Sequence, residues 1–167
     1  MKINFLRLVA IAIALIAVTS GCVPDNQSSK PKDAIVIQTS LGDLPKFINL
    51  PATPTHVKWQ TEQLNGDNWS LTAMLQFTKA DFDRILSQST KLDSQAKSKV
   101  PKSYLFNLLP ESINRRYQDK NTEDLIEVDA NTVAPNVFID VNKSPLVNGD
   151  VVVFEKENIF LLSLYTM

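Results

Sequence analysis

The clearest pattern in the chain is the alternation of apolar and polar residues in "WSLTAMLQF", from Trp69 to Phe77. Every second residue from Trp69 onward is apolar, which is the period of a strand with one buried face. A second stretch of strand-like sequence runs from about His56 to Leu64, before the turn-forming residues "NGDN". The two stretches together predict an antiparallel hairpin.

The loop of this hairpin can be predicted from the face on which the apolar residues lie. A two-residue turn at Asn65–Gly66 would place Trp59 on the face opposite to the apolar residues of the second strand. A loop of three or five residues instead pairs Gln63 with Trp69 and Trp59 with Ala73, so that the apolar residues share one face. We therefore predict the longer loop, although Asn-Gly usually indicates a two-residue turn.

A helix of about three turns is predicted directly after this hairpin. Thr78 has the side chain of an N-cap residue, and Asp81 follows three positions later as in a capping box. Phe82, Ile85 and Leu86 then have the spacing of one helix face. This apolar face should pack on the preceding strand.

Weaker patterns predict three further segments. "AIVIQTS", from Ala34, is a short strand candidate, and the polar stretch Ser87–Ser103 is typical of a long loop or a frayed helix end. "PESINRRYQ" predicts a second helix, with Pro110 in its first turn and with Ile113 and Tyr117 four residues apart.

The last third of the chain predicts strands. These are "LIEVDA" from Leu125, "NVFIDV" from Asn136, and a final hairpin of Val151–Phe154 and Ile159–Tyr165 joined by a tight turn at "EKEN". Both arms of the final hairpin are apolar on both faces, so they should lie centrally in the sheet under covering layers. The order of elements predicts an α+β fold with a mainly antiparallel sheet and about two helices packed on it.

The first residues of the chain have the order of a secretory signal. Lys2 and Arg7 precede the apolar stretch Leu8–Val18, and small residues follow up to Cys22. Eleven helical residues would reach only about 16 Å, against about 30 Å for the hydrocarbon core of a membrane, so a transmembrane helix is disfavoured.

This segment resembles the signal of bacterial lipoproteins, whose lipobox ends in a small residue followed by cysteine. The resemblance implies cleavage between Gly21 and Cys22 and attachment of acyl chains to Cys22, although Thr19 stands where the family usually has leucine. Val23, rather than aspartate, follows the cysteine, which implies the outer membrane and its periplasmic face. The alternative is an ordinary signal peptide with an incidental cysteine.

The chain is thus divided into a signal peptide at residues 1–21, a lipidated cysteine with a flexible tether at residues 22–33, and one α+β domain at residues 34–167. The tether "VPDNQSSKPKD" is rich in proline and polar residues and would span roughly 18 Å root-mean-square. The signal holds two of the 17 basic residues and none of the 18 acidic ones, so the remainder has a net charge of about −3. This charge does not favour nucleic acid as a partner.

Candidate catalytic and metal-binding residues are few. His56 is the single histidine, and it is expected to be an exposed strand-end residue rather than a general base. Once Cys22 is lipidated, no thiol remains for a disulfide, a metal site or catalysis. Gly42, Gly66 and Gly149 belong to no phosphate-binding motif, so no cofactor is expected.

Two groups of charged residues allow a functional alternative to simple solvation. One group consists of the four acidic residues Glu123, Asp124, Glu127 and Asp129, which could bind calcium if they converged. Their alternation with apolar residues instead favours a solvated strand face. No metal site is therefore expected. The other group consists of the lysines Lys91, Lys97, Lys99 and Lys102. They could contact anionic lipid, or they could belong to a solvated insert.

Trp59 and Trp69 flank the loop of the first hairpin. Aromatic residues in such positions can anchor a partner protein, and packing in the core is the alternative. The sequence favours a non-catalytic, membrane-anchored lipoprotein that binds another envelope protein in an assembly, inhibitor or immunity-type role. A carrier or sensor of an apolar ligand and a carboxylate-based cell-wall hydrolase are the other hypotheses.

Overall fold

A computed structural model describes residues 35–64, 66–92, 97–120 and 124–166. These residues form an α+β fold, as the sequence predicts. The strands are β1 His56–Gln63, β2 Trp69–Gln76, β3 Ser98–Pro101, β4 Leu125–Val128, β5 Asn131–Val133, β6 Asn148–Phe154 and β7 Ile159–Tyr165. The α-helices are α1 Leu44–Phe47, α2 Lys79–Gln88, α3 Lys102–Leu108 and α4 Glu111–Asn114, and 3₁₀ turns span Arg115–Lys120, Pro135–Val137 and Glu155–Glu157.

The main sheet has the strand order β1-β2-β7-β6-β5, and every neighbouring pair is antiparallel. β3 and β4 form a separate two-stranded sheet, which we call the ribbon. β7 is the central strand of the main sheet and β6 lies next to it, which confirms the prediction from their continuous apolar sequence.

The first hairpin has the predicted register. Gln63 lies opposite Trp69 and Trp59 lies opposite Ala73, so the connecting loop has five residues. The amide of Leu64 donates a hydrogen bond of 2.8 Å to the carbonyl of Asn68, which joins the first and the last residue of the loop. Burial of the apolar face therefore prevails over the local preference of Asn-Gly for a two-residue turn.

Apolar layers cover both faces of the main sheet. On the first face, which carries Ala73, Leu162 and Val151, the core is completed by α1, α2 and the segment around Phe138. On the second face, which carries Met74, Leu161 and Val152, the core is completed by the ribbon, α3, α4 and the 3₁₀ turn that follows α4. The central strands need apolar residues on both faces because neither face meets solvent there.

Helix α2 begins as predicted. The hydroxyl of Thr78 accepts a hydrogen bond of 3.2 Å from the amide of Asp81, which satisfies one of the unpaired donors of the first turn. Phe82 and Ile85 are buried against the first face, and Leu86 is half-buried there.

Two predicted strands are wrong. The strand from Ala34 is reduced to a single bridge between Gln38 and Trp59, and Val36 is 66% exposed. The strand from Asn136 is a 3₁₀ turn followed by Phe138 in a helical conformation, because Pro135 favours a turn that buries Phe138 completely. An apolar run can thus be buried without being extended.

The helix predicted at Pro110 and the loop predicted over Ser87–Ser103 are each partly right. Pro110 caps α4, and the turn continues as a 3₁₀ helix that buries both Ile113 and Tyr117. Helix α2 ends at Gln88, within the segment predicted as a loop or a frayed helix end, but strand β3, whose Val100 is buried beneath α3, was missed. Helix α3 was missed as well, because a strand of four residues and a helix of seven offer little periodicity.

Candidate functional site

An open cavity of about 480 Å³ lies where the ribbon meets β5 and the turn between β6 and β7. We call it the charged groove. Its polar rim carries Lys91, Lys97, Arg116, Asp129, Glu155, Lys156 and Glu157, and its floor includes Ser98, Val128, Val153 and Phe154. The floor residues are buried, so the rim side chains stand above a fixed base.

Hydrogen bonds between the ribbon and β5 hold the two sides of the charged groove together. The hydroxyl of Ser98 on β3 donates to the carbonyl of Ala130 at 2.9 Å and also shares a hydrogen bond with the hydroxyl of Thr132. The amide of Leu92 donates to the carbonyl of Thr132 at 3.3 Å, which brings the segment after α2 to the same edge. The groove is therefore built from three segments distant in sequence.

Three of the seven charged residues of the rim form ion pairs within the described residues. Arg116 forms an ion pair of 2.8 Å with Glu157. Lys97 forms one of 2.9 Å with Glu127 just outside the rim, and this hydrogen bond raises the pKa of the Lys97 ammonium. Lys91, in contrast, forms no ion pair with any residue of the described ranges.

Asn131 and Lys156 complete the rim beside β6. The side-chain amide of Asn131 donates a hydrogen bond of 2.8 Å to Glu155. Lys156 is exposed and, within the part of the chain that the structure describes, forms no ion pair. Lys91 and Lys156 therefore offer ammonium groups that can bind an external carboxylate without breaking an ion pair among the described residues.

A second concentration of polar side chains crosses the main sheet on its second face. The strand register places Gln60, Thr72, Ser163 and Asp150 side by side on β1, β2, β7 and β6. We call this set the polar row. The next position outward on the same four strands is also polar, and it carries Glu62, Ser70, Tyr165 and Asn148.

The polar row passes from the interior to the surface. Gln60 and Thr72 are 3% and 2% exposed, while Ser163 and Asp150 are half-buried. The Gln60 Oε1 atom is buried with no hydrogen-bond partner among the described residues. Leaving such an atom unpaired costs about 1–3 kcal/mol, so the arrangement is unfavourable for the isolated protein.

Asp150 adds a second unfavourable feature to the polar row. Burial raises the pKa of its carboxyl group, and only a hydrogen bond with its own backbone acts in the opposite direction. The charged side chains that share this face, Lys58 and Glu62, lie three strands away on β1. The ionised carboxylate is thus partly removed from water, and no opposite charge lies beside it on the described strands of this sheet.

We predict that Asp150→Asn stabilises the protein at pH 7. A folded-state pKa above the unfolded value means that the native state loses stability as pH rises from the unfolded pKa through the folded one. The neutral amide has no such loss. Urea unfolding should give a larger free energy for the variant at pH 7 and an equal one near pH 3.

The matched control is Asp83→Asn on α2, at the other face of the sheet. Its carboxylate is exposed and forms an ion pair with Lys79, so the substitution should give no gain at pH 7. An Asp150→Asn protein that is less stable than the wild type at pH 7 would contradict the assignment of a desolvated charge.

The two tryptophans have different surroundings. Trp59 is 7% exposed, and its Nε1 donates a hydrogen bond of 2.9 Å to the carbonyl of Ser40. The ring of Phe47 lies 6.0 Å from that of Trp59 and 5.4 Å from that of Trp69. The Trp59 ring belongs to the core, which is the alternative that the sequence left open, and partner binding by Trp59 stays a prediction. Trp69 is half-buried, and its role in binding stays a prediction.

The other candidate residues remain dispersed. Gly21 and Cys22 lie outside the described residues, and so does Glu123. His56 is exposed at the start of β1, as expected. Glu127 and Asp129 are exposed and alternate with buried residues of the ribbon, which agrees with a solvated strand face.

Within the described residues, no three histidine, cysteine, aspartate or glutamate side chains are placed to share a metal ion. Of the four lysines, Lys91 and Lys97 line the charged groove, Lys99 is exposed on the ribbon, and Lys102 lines a shallower cavity beside α3. Contact with anionic lipid stays a prediction.

The polar row was not identified from the sequence. Its one signal is the alternation of Ser70 and Thr72 with apolar residues in β2, which we read as ordinary strand periodicity. The residue opposite Thr72 is Ser163, which lies 91 positions away in the sequence.

Comparison with known proteins identifies no relative of this chain. The chain matches no protein-family model, and no significant similarity links it to a curated protein or to a solved structure. In the described ranges, no helix has both the length and the apolar character needed to cross a membrane.

Proposed function

We propose that the protein is a lipid-anchored protein of the bacterial envelope that binds another envelope protein through the charged groove. The observation that carries the proposal is the open rim of mixed charge, in which Lys91 and Lys156 have no ion-pair partner among the described residues. Complementary charge on a partner would accelerate association and fix its orientation. Anchoring rests on the lipobox that ends in Cys22.

A protein partner suits the charged groove better than an apolar ligand. Sites for apolar ligands are enclosed and lined mainly by hydrophobic side chains. The charged groove is open and has seven charged side chains in its rim, whereas the buried apolar residues of the two sheet faces are packed together in two clusters.

A carboxylate-based hydrolase is also less well supported. Such enzymes need two carboxyl groups about 5–10 Å apart. Three carboxylates line the charged groove, those of Asp129, Glu155 and Glu157. Glu155 accepts a hydrogen bond from Asn131 and Glu157 forms an ion pair with Arg116, so two of the three are engaged by neighbouring side chains.

Photocrosslinking in living cells tests the proposed partner binding. A photoreactive amino acid replaces Leu92 in the full-length protein, because this side chain lines the charged groove, is 42% exposed and leaves both ammonium groups in place. Light-dependent adducts are identified by mass spectrometry. We expect one discrete adduct with an envelope protein. Adding Lys91→Glu should weaken this adduct several-fold, because the reversed charge repels the acidic side chains that the groove attracts.

The control places the same photoreactive group at Lys79, an exposed residue of α2 on the other side of the main sheet. This position should not yield the adduct. Equal adducts from both positions, or none from position 92, would remove the charged groove as the partner site.

A separate prediction concerns the anchor. Wild-type protein should incorporate an alkyne analogue of palmitate, and Cys22→Ala should abolish the labelling, since the thiol is the proposed attachment site. Several acyl chains anchor firmly because each buried methylene contributes about 0.8 kcal/mol. Ser29→Ala in the tether serves as the control and should be labelled like the wild type. Labelled Cys22→Ala protein would refute lipidation at this residue.

A further inference from the structure

We propose that the polar row and the residues just outward of it bind a neutral saccharide. Four adjacent strands present hydroxyl, carboxamide and carboxylate groups toward one face at one end of the main sheet. At the other end of the same face, Met74, Leu161 and Val152 are covered by the apolar core. The polar end is therefore a distinct surface, not a continuation of that core.

The burial of the polar row is the first argument for a ligand. A polar patch that only faced solvent would have its oxygen and nitrogen atoms hydrated. Here the Gln60 Oε1 and Asn148 Nδ2 atoms are both buried, and neither has a hydrogen-bond partner among the described residues. Asn148 is half-buried and lies opposite the exposed Tyr165, so a saccharide hydroxyl at this end can serve as the acceptor that the Asn148 Nδ2 atom needs.

The fold explains why Gln60 is buried. The bridge between Gln38 and Trp59, continued by one residue, places Ile37 opposite Gln60 on the second face. Ile37 is partly buried against the apolar core of that face. It closes the β1 end of the polar row, so a ligand would enter from the half-buried end at Asp150.

The chemical groups of the polar row favour a neutral ligand with many hydroxyl groups. Thr72, Ser163 and Ser70 can each donate or accept a hydrogen bond, and Asp150 accepts when ionised. An anion would meet the carboxylates of Asp150 and Glu62 on this face, and the one basic side chain among these strand positions is Lys58. A metal ion is not favoured, because the described residues hold no suitable cluster.

Tyr165 supplies the apolar component of the proposed site. It lies between Ser70 and Asn148 in the outward positions and is 46% exposed, in contrast to the buried residues of the rest of β7. An exposed aromatic ring beside convergent hydrogen-bonding groups can pack against the C–H face of a sugar ring and can also hydrogen bond through its hydroxyl.

Saturation-transfer NMR with the full-length protein tests this inference. The protein is kept in a detergent without a sugar head group, and the probes are the tetramer of N-acetylglucosamine and maltotetraose. We expect saturation transfer to at least one of these neutral oligosaccharides. Asp150→Asn should weaken its binding about tenfold, because hydrogen bonds to an ionised acceptor are the strong ones. Tyr165→Ala should weaken binding as well.

Asp83→Asn is the matched control, since it removes an exposed carboxylate on the other side of the sheet and should bind like the wild type. Circular dichroism establishes that each variant is folded. Absence of saturation transfer from the wild type to both probes would overturn the inference. Unchanged binding by both Asp150→Asn and Tyr165→Ala would overturn it too, because the sugar would then bind elsewhere.

This inference does not depend on the proposed protein partner. The polar row shares no residue with the charged groove, which begins at Val153 on β6. Failure of crosslinking at position 92 would leave saccharide binding untouched, and failure of saccharide binding would leave the crosslinking result untouched.

Discussion

Gly149→Ala is expected to be the most damaging single substitution, with a loss of about 4 kcal/mol or more in the free energy of unfolding. Gly149 has a φ of +137°, a backbone conformation that is essentially restricted to glycine. A Cβ atom added there would lie 1.9 Å from the carbonyl oxygen of Ser163 and 3.0 Å from the Cα of Leu164. Both contacts are with the backbone of β7, which cannot turn away as a side chain can.

Denaturant unfolding followed by circular dichroism measures this loss, and Gly66→Ala is the matched control. Gly66 has a φ of +62° with no atom within 4 Å of an added Cβ, so only backbone strain of about 1–2 kcal/mol is expected. The excess loss at Gly149 is the contribution of the clash with β7. Equal losses in the two variants would show that β6 and β7 do not approach as closely as described.

Phe160→Ala is expected to cost about 3–5 kcal/mol. Phe160 lies on the central strand and is fully buried. Its ring centroid is 4.8 Å from that of Phe82, 5.4 Å from that of Phe138 and 5.9 Å from that of Phe77. Removing the ring creates a cavity among three segments that contact one another through it.

The same unfolding measurement checks the prediction for Phe160. Val141→Ala provides a control, because Val141 is 71% exposed and its truncation should change the free energy of unfolding by less than about 0.5 kcal/mol. Phe160→Leu should fall between the two, since it retains part of the buried volume. A loss below about 1 kcal/mol for Phe160→Ala would mean that these aromatic rings do not form a packed cluster.

The accuracy of the sequence predictions follows the length over which a pattern repeats. The eight residues of β2 alternate without interruption, and their register with β1 was predicted correctly. β3 has four residues, and its partner β4 begins after α3, α4 and a 3₁₀ turn. Too few periods exist in such a strand to distinguish it from a polar loop.

The charged groove could not be predicted from local sequence either. Lys91, Lys97 and Asp129 were noted as members of two separate charged stretches, but nothing in either stretch indicated the other. The hydrogen bonds of Ser98 with Ala130 and Thr132 bring these stretches together. The side chains that form one rim are thus far apart in the sequence. The strand pairings that bring them together are not specified by local sequence.

The sequence by itself determined the features that depend on near neighbours along the chain. These are the first hairpin with its longer loop, the cap of α2 at Thr78, and the central place of β6 and β7. Alternation, capping and continuous apolar character each follow from the burial of adjacent residues. The tertiary structure alone decided which distant strands pair, and hence the charged groove and the polar row that joins Gln60 to Asp150. Those pairings arise from the burial of both sheet faces at once, a property of the whole fold rather than of any single segment.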